Sequence, residues 1–319
     1  MRFDIQLPDN FIKYNRMSVL LYVSACYLLW IVPALIAYLV VSNEFHWTWT
    51  LSVIALEILS GFGYFAIAGI AHEGLHGNLS ESNYKSFFRG AILSAPVIGF
   101  YAPGFYSLHW QHHRWVNQSK DPIAKHYSKF RTPFGKIFLS RIMEGPVYLL
   151  ETLRFLRDGT HQNKSWMDAY NFKLISYAVI ATKLTIILFF SIICLIVSPA
   201  SAVKIIVLIF AIPFTVSLIL ASISPYLEHA KTDDNICARS QTSPILTALR
   251  FGANFHLEHH YFQTIPCWRL PRAHKLLVDK YPECLNYCDS SVRATYKILS
   301  SNVSYGICAD LAENNSEHY

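Results

Sequence analysis

The chain has 319 residues, of which 53% are hydrophobic and only 15% charged, whereas soluble domains carry about 25% charge. An ordinary water-soluble fold is thereby excluded, and several apolar runs approach the roughly 20 residues that cross a bilayer. The net charge of +6 is not read as the footprint of a nucleic-acid partner, because the basic residues are distributed as a membrane topology requires.

In chain order, residues 1–16 form a short polar lead suited to the membrane surface. A first apolar run, 17–41, is followed by the joint SNEFHWT and a second run, 49–70. The first run is long and begins after a polar-to-mixed lead, so it reads as a retained helix rather than a cleavable signal peptide. The segment 71–173 is polar, except that Phe87 to Tyr101 is apolar, short and interrupted by Pro96. It is expected to be re-entrant or interfacial, since a fifth span would put the segments on either side of it on opposite faces. Runs three and four, 175–197 and 203–223, flank the joint SPASA. After Pro225 the chain is aqueous, PCWRLPRAHKLLVDKY predicts a turn and then an amphipathic helix, and a polar tail covers 302–319. No internal repeat, low-complexity tract or second soluble domain is evident.

The expected fold is therefore an all-α integral membrane protein, read as one domain over 1–319. Four transmembrane helices in two hairpins carry a helical cap made of 71–173 and 225–301. Of the 27 Lys and Arg, 3 precede Met17, 13 lie between Ala71 and Lys173, and 9 follow Pro225; the two joints hold none. Two hairpins put those three segments on one side, which the positive-inside rule makes cytoplasmic. The cysteines (Cys26, Cys194, Cys237, Cys267, Cys284, Cys288, Cys308) form no CxxC pair. Two fall within spans and five face a reducing compartment, so structural disulfides are not expected.

Eight of the 14 histidines fall into three clusters: His72 and His76 in HEGLH, His109, His112 and His113 in HWQHH, and His256, His259 and His260 in HLEHH. Helical positions i, i+3 and i+4 share a face, so each cluster can present two or three imidazoles to one point. Neutral imidazole is a common ligand for iron, zinc and copper. Eight such ligands are too many for one ion, and the arithmetic favours two. Topology gives them a common address: His72 and His76 follow the second span, the second cluster lies in the central cytoplasmic segment, and the third follows the fourth span. HEGLH alone is ambiguous, because HExxH on a helix is also the zinc-protease signature with Glu73 as general base. That reading leaves the two HxxHH clusters without a purpose. His46, His126, His161, His274 and His318 are read as ordinary surface or packing histidines, and most tryptophans as interfacial belt or packing. Glu57, near the middle of the second span, either lines a substrate tunnel or bonds another helix. Lys183 is read as snorkelling toward the cytoplasm.

These residues resemble the boxes of the membrane-bound fatty acid desaturase and hydroxylase superfamily. His72 to His76 is similar to its HxxxH box, and His109 to His113 to its HxxHH box. The stretch RWVNQSKDP that follows resembles the family's N-x-x-x-DP. Asn254 to Pro271 is similar to N-[FY]-H-x-[EV]-H-H-x-F-x-x-I-P-x-x-R-L-P. With the four spans, the likeness runs from about residue 20 to 275. It implies two iron ions (Fe2+/Fe3+) held by the box histidines and by His229, which matches the family's extra ligand; the asparagine often found one turn earlier is replaced by Pro225. It further implies O2 as co-substrate, two electrons from an external donor, and removal of hydrogens from unactivated carbon, with no catalytic residue separate from the metal ligands. Candidates for fixing the ligand imidazoles are Glu73, Asp121, Asn254 and Glu258.

The expected reaction is O2-dependent desaturation of a fatty acyl chain linked to lipid, CoA or carrier protein, its tail lying between the spans. Zinc lacks the redox chemistry and cysteine ligands would be oxidised. No HPGG-type haem motif is present, so a ferredoxin-like or cytochrome b5-like protein is the expected electron donor, docking on the basic cytoplasmic face. His256 stands where front-end desaturases carry glutamine, which disfavours that regiochemistry. The alternatives are a hydroxylase or ketolase of the same superfamily acting on a fatty acyl chain, carotenoid or other lipid, a membrane zinc protease, and a metal-binding transporter or sensor.

Overall fold

The computed structural model describes residues 8–42, 46–158, 172–230, 232, 238–289, 293, 295 and 296. His161, His318, Cys237, Cys308, the start of the lead and the tail 302–319 lie outside them. Twelve α-helices occur among the described residues. They are α1 (Arg16–Ser42), α2 (Thr50–Leu75), α3 (Asn83–Leu93), α4 (Ala102–Trp115), α5 (Pro122–Tyr127) and α6 (Ser140–Asp158). Then follow α7 (Phe172–Ile196), α8 (Pro199–Ile205), α9 (Ile212–His229), α10 (Pro244–Leu249), α11 (His256–Tyr261) and α12 (Leu270–Lys280). The only extended pairing described is a two-residue parallel contact of β1 (Ser240–Gln241) with β2 (Cys288–Asp289) and a bridge from Ser240 to Phe255.

Among the described residues four stretches are long and apolar enough to cross a membrane: Arg16–Ser42, Trp47–Leu75, Phe172–Ile196 and Pro199–His229. Each contains most or all of an expected span: the first is one residue longer at each end, the second and fourth are two to six residues longer at each end, and the third starts three residues earlier and stops one short. The segment 87–101 supplies no fifth. Its first part belongs to α3 and the remainder is a turn. Several helix starts are written locally. Asp121-Pro122, Ser198-Pro199 and Ser243-Pro244 each place a capping side chain at the N-cap and proline at the first helical position, where its missing N–H costs nothing.

The chain divides into two compact units, Met1–Tyr14, Gly104–Val147 and Ala221–Tyr319 forming one, Asn15–Pro103 and Tyr148–Leu220 the other. In the second unit α1 buries Tyr22, Cys26, Trp30, Ala34 and Ala37, one face at helical spacing. It exposes Leu21, Leu28, Val32, Leu35 and Leu39. Apolar on both sides, such a helix suits packing on one face and hydrocarbon on the other. Glycine sets how closely α2 meets α1. A Cβ at Gly63 would overlap the backbone nitrogen of Trp30. Trp30 also donates its Nε1–H to the carbonyl of Ile209 at 2.8 Å, and the Ser60 hydroxyl donates to the Trp30 carbonyl at 2.8 Å. Ile209 lies in a π-helical turn, Ile206–Ala211, where the ladder register is interrupted. Glu57 is 3% exposed and, among the described residues, neither carboxylate oxygen has a hydrogen-bond partner. Of the two roles expected for it, the bond to another helix is therefore not made among those residues. Lys183 does not end in open solvent but on two backbone carbonyls of the turn after α3.

In the first unit, the predicted turn and amphipathic helix appear as Cys267–Arg269 and α12. Arg269 donates to the carbonyls of Phe11 and Lys13 at 3.0 and 2.8 Å. Leu257, Leu277 and Cys284 form a small core beneath α11 and α12.

Candidate metal centre

Helical spacing delivers the imidazoles of the first unit to two points. His109, His112 and His113 stand on the C-terminal half of α4, His229 ends α9, and His256, His259 and His260 line α11. In one set, His112, His229, His256 and His260, the ligand nitrogens all lie within 4.8 Å of one another. Nε2 of His229 is 3.2 Å from Nε2 of His112 and 2.9 Å from Nε2 of His256, which is 3.1 Å from Nε2 of His260. In the other set, Nε2 of His113 is 2.8 Å from Nε2 of His109 and 3.1 Å from Nε2 of His259. In the second unit, His72 on α2 and His76 at its C-cap have ring centres 4.7 Å apart.

These spacings fit metal ligation. Two nitrogens each about 2.1 Å from one ion and at right angles lie about 3 Å apart. The protonation states agree. Nδ1 of His112 is 2.8 Å from Asp121 Oδ2. Burial alone would raise the Asp121 carboxyl, but His112 and the N–H groups of Asn117 and Ala124 outweigh it and hold the carboxyl below its ordinary value. An ionised carboxylate accepts, so His112 donates from Nδ1 and turns Nε2 toward His229. Burial, then the imidazoles of His113, His256, His229 and His112, keeps His260 well below the usual histidine value. Burial and then His72 do the same for His76. Neutral rings are the ligating form.

Asp121 does more than hold His112. Its other oxygen caps α5 by accepting from Ile123 N at 2.9 Å and Ala124 N at 3.2 Å, and Oδ2 also accepts from Asn117 N at 2.9 Å. Asn117 takes a left-handed φ of 57°, which asparagine tolerates. Its amide donates to Thr232 Oγ1 at 2.6 Å and to the His229 carbonyl at 3.5 Å. The N-x-x-x-DP stretch thus links the second histidine cluster to the end of α9.

Of the other candidates, Glu73 faces its own neighbour: Oε1 is 3.3 Å from His72 Nδ1, and Oε2 accepts from Asn78 Nδ2 at 2.8 Å. Glu258 meets no box histidine in its hydrogen bonds. It accepts from His274 Nδ1 at 2.6 Å and from the Ser240 hydroxyl, so it fastens α11 to α12 and β1. Asn254 donates to the Gln241 carbonyl and to Thr247 Oγ1, holding the loop that enters the third box. His126 bonds the Ser140 carbonyl and His46 Nδ1 accepts from Thr48 N, both local roles. One carboxylate beside the site, Glu228, is not singled out by the sequence. Glu228 holds Arg250 at 3.0 Å and stands 3.6 Å from His256 Nε2; its position next to His229 was the available signal. Cys284 and Cys288 are thiols pushed up by burial to about 11 and about 12, unsuited to thiolate ligation.

The family model for fatty acid desaturases matches residues 47–291. The chain belongs to the fatty acid desaturase family. No curated protein matches it. As in the family, the chemistry is oxidoreductive and its setting a lipid membrane. The matched segment of this desaturase-family protein contains all three histidine boxes and His229.

Proposed function

We propose that the protein is an O2-dependent di-iron desaturase that introduces a double bond into a fatty acyl chain. The observation that carries the reading is the convergence of imidazoles, buried or partly buried, in two sets from α4, α9 and α11. One iron is assigned to His112, His229, His256 and His260. The other is assigned to His109, His113 and His259, with His72 and His76 added on the strength of their HxxxH box. When bound, the iron pair supplies, with O2 and two electrons, an oxidant able to take hydrogen from a methylene.

The chain's own residues prepare that chemistry. Asp121 keeps the His112 proton at Nδ1, Glu73 stands against His72 Nδ1, and Glu228 stands beside His256 Nε2. Glu73 is 2% exposed and bonded by Asn78, which suits it to orienting an imidazole and not to activating water in a zinc protease. The site faces the cytoplasm in this reading. The acyl tail lies between the spans, so geometry selects among methylenes that are chemically nearly alike. A ferredoxin-like or cytochrome b5-like donor delivers electrons at the basic cytoplasmic face.

Expression in a bacterial host with lipid extraction and mass spectrometry tests this. The expected product is two hydrogens lighter than its precursor and absent in His113→Ala, whose iron content also falls. A gain of one oxygen would instead make the enzyme a hydroxylase, and zinc in place of iron in active protein would overturn the proposal.

A further inference from the structure

The second unit contains a cavity of about 400 Å3 that the proposed iron centre does not use, since no histidine lines it. Its walls come from α7 (Ile187, Phe190, Ser191), from the π-helical turn (Ile206, Phe210) and from the turn after α3 with Tyr101. They are almost wholly apolar. The one charged residue among them is Lys183, whose ammonium donates to the carbonyls of Ala95 at 2.7 Å and Val97 at 2.8 Å and stands 4.9 Å from the centre of the Tyr101 ring.

This lysine is held, not swinging. The turn that binds it is pinned from α2, where the Tyr64 hydroxyl donates to the Pro96 carbonyl at 2.9 Å and accepts from Ile98 N at 3.0 Å. An ammonium has three donors, and the two carbonyls take two of them. Carbonyl dipoles and an aromatic face lower the cost of a full charge without neutralising it. Among the described residues no carboxylate pairs with Lys183 in a salt bridge. The charge stands eleven residues into α7, about 16 Å along its axis. Beyond it the helix exposes Leu184, Ile187, Leu188, Phe189 and Ile192. A cation among such surroundings is costly unless an anion joins it.

We propose that this cavity binds a single-chain anionic amphiphile, a long-chain fatty acid. Its carboxylate accepts the third Lys183 N–H, and its tail lies along Ile187, Phe190 and Ile206. The volume is near the low end of small-molecule sites, roughly 300–1,000 Å3, which suits one chain and not the two of a phospholipid. The site is independent of the proposed reaction, because neither its charge nor its walls involve a metal ligand.

The test uses the full-length protein in phosphatidylcholine nanodiscs, with and without chelator treatment, titrated with radiolabelled palmitate. Saturable binding is expected in both preparations. Lys183→Met and the cavity-filling Ser191→Trp are each expected to weaken it about tenfold or more, the worth of one charge-assisted hydrogen bond with its buried chain, while Lys183→Arg restores it. Palmitate methyl ester and phosphatidylglycerol are expected not to compete. Equal binding by Lys183→Met and the parent, equal binding of the ester, or preference for phosphatidylglycerol would each overturn the proposal. Lys183→Arg and Ser191→Trp keep the test decisive if Lys183→Met does not fold. Loss of desaturation with palmitate binding intact would count against the enzyme assignment alone.

Discussion

Asp121 concentrates several tasks in one carboxylate: it fixes the His112 tautomer, caps α5 and receives Asn117 N. Asparagine is itself a good N-cap, so Asp121→Asn separates these tasks. It is expected to lower iron affinity about 10- to 100-fold with little loss of melting temperature. Asp121→Ala should lose a further ~1 kcal/mol of stability through the cap. Iron titration and thermal unfolding of both variants check this, and equal iron affinity in Asp121→Asn would remove the carboxylate from the site. Glu57 poses the opposite case, a buried acid without a hydrogen-bond partner among the described residues. Glu57→Met is expected to raise the melting temperature in detergent by relieving a desolvation cost of about 1–3 kcal/mol; a fall would reveal a stabilising partner. At this scale the histidines were legible because their spacing is that of a helix face. Which carboxylate meets which ring was not. Glu258, inside the third box, and Asp121, after the second, are both carboxylates close to box histidines, and only the packing of the helices sends one to His274 and the other to His112.

Helix identity and helix contact have different origins. The Ser-Pro and Asp-Pro starts and the long apolar runs are local features, and the corresponding helices appear where those features predict. Close approach is not local. Gly63 reads as an ordinary glycine in a span, yet a Cβ there would meet the backbone of Leu29 and Trp30, and Gly74 and Gly90 touch in the same manner between α2 and α3. Backbone cannot yield as a flexible side chain can. Gly63→Ala is therefore expected to cost ~1–3 kcal/mol or more, read by thermal unfolding, and parent-like stability would show that α1 and α2 can part without loss. The π-helical turn at Ile206–Ala211 was likewise invisible in sequence, because an apolar run has the same composition whichever carbonyl accepts.

Over the whole molecule, an even number of spans and a one-sided basic excess make a topological prediction. A protease site inserted in the joint at Val197 and Ser198, between α7 and α8, is expected to be cut from outside intact cells or from the lumen of sealed vesicles. One inserted near Lys85 should be protected in the same preparation. Cleavage of both from one side would break the two-hairpin arrangement and with it the cytoplasmic address of the boxes.

By itself the sequence determined the four apolar stretches, the polar segments that carry the boxes, and the grouping of imidazoles within each box, since hydropathy, charge and helical spacing are properties of neighbours along the chain. Tertiary structure alone decided that His112, His229, His256 and His260 share one point while His109, His113 and His259 share another. It also decided that Asp121 holds a ring, and that Lys183 meets carbonyls eighty-six and eighty-eight residues away. Contacts of that kind depend on how separate helices cross, and their crossing is fixed by packing at sites such as Gly63 that no short window of sequence reveals.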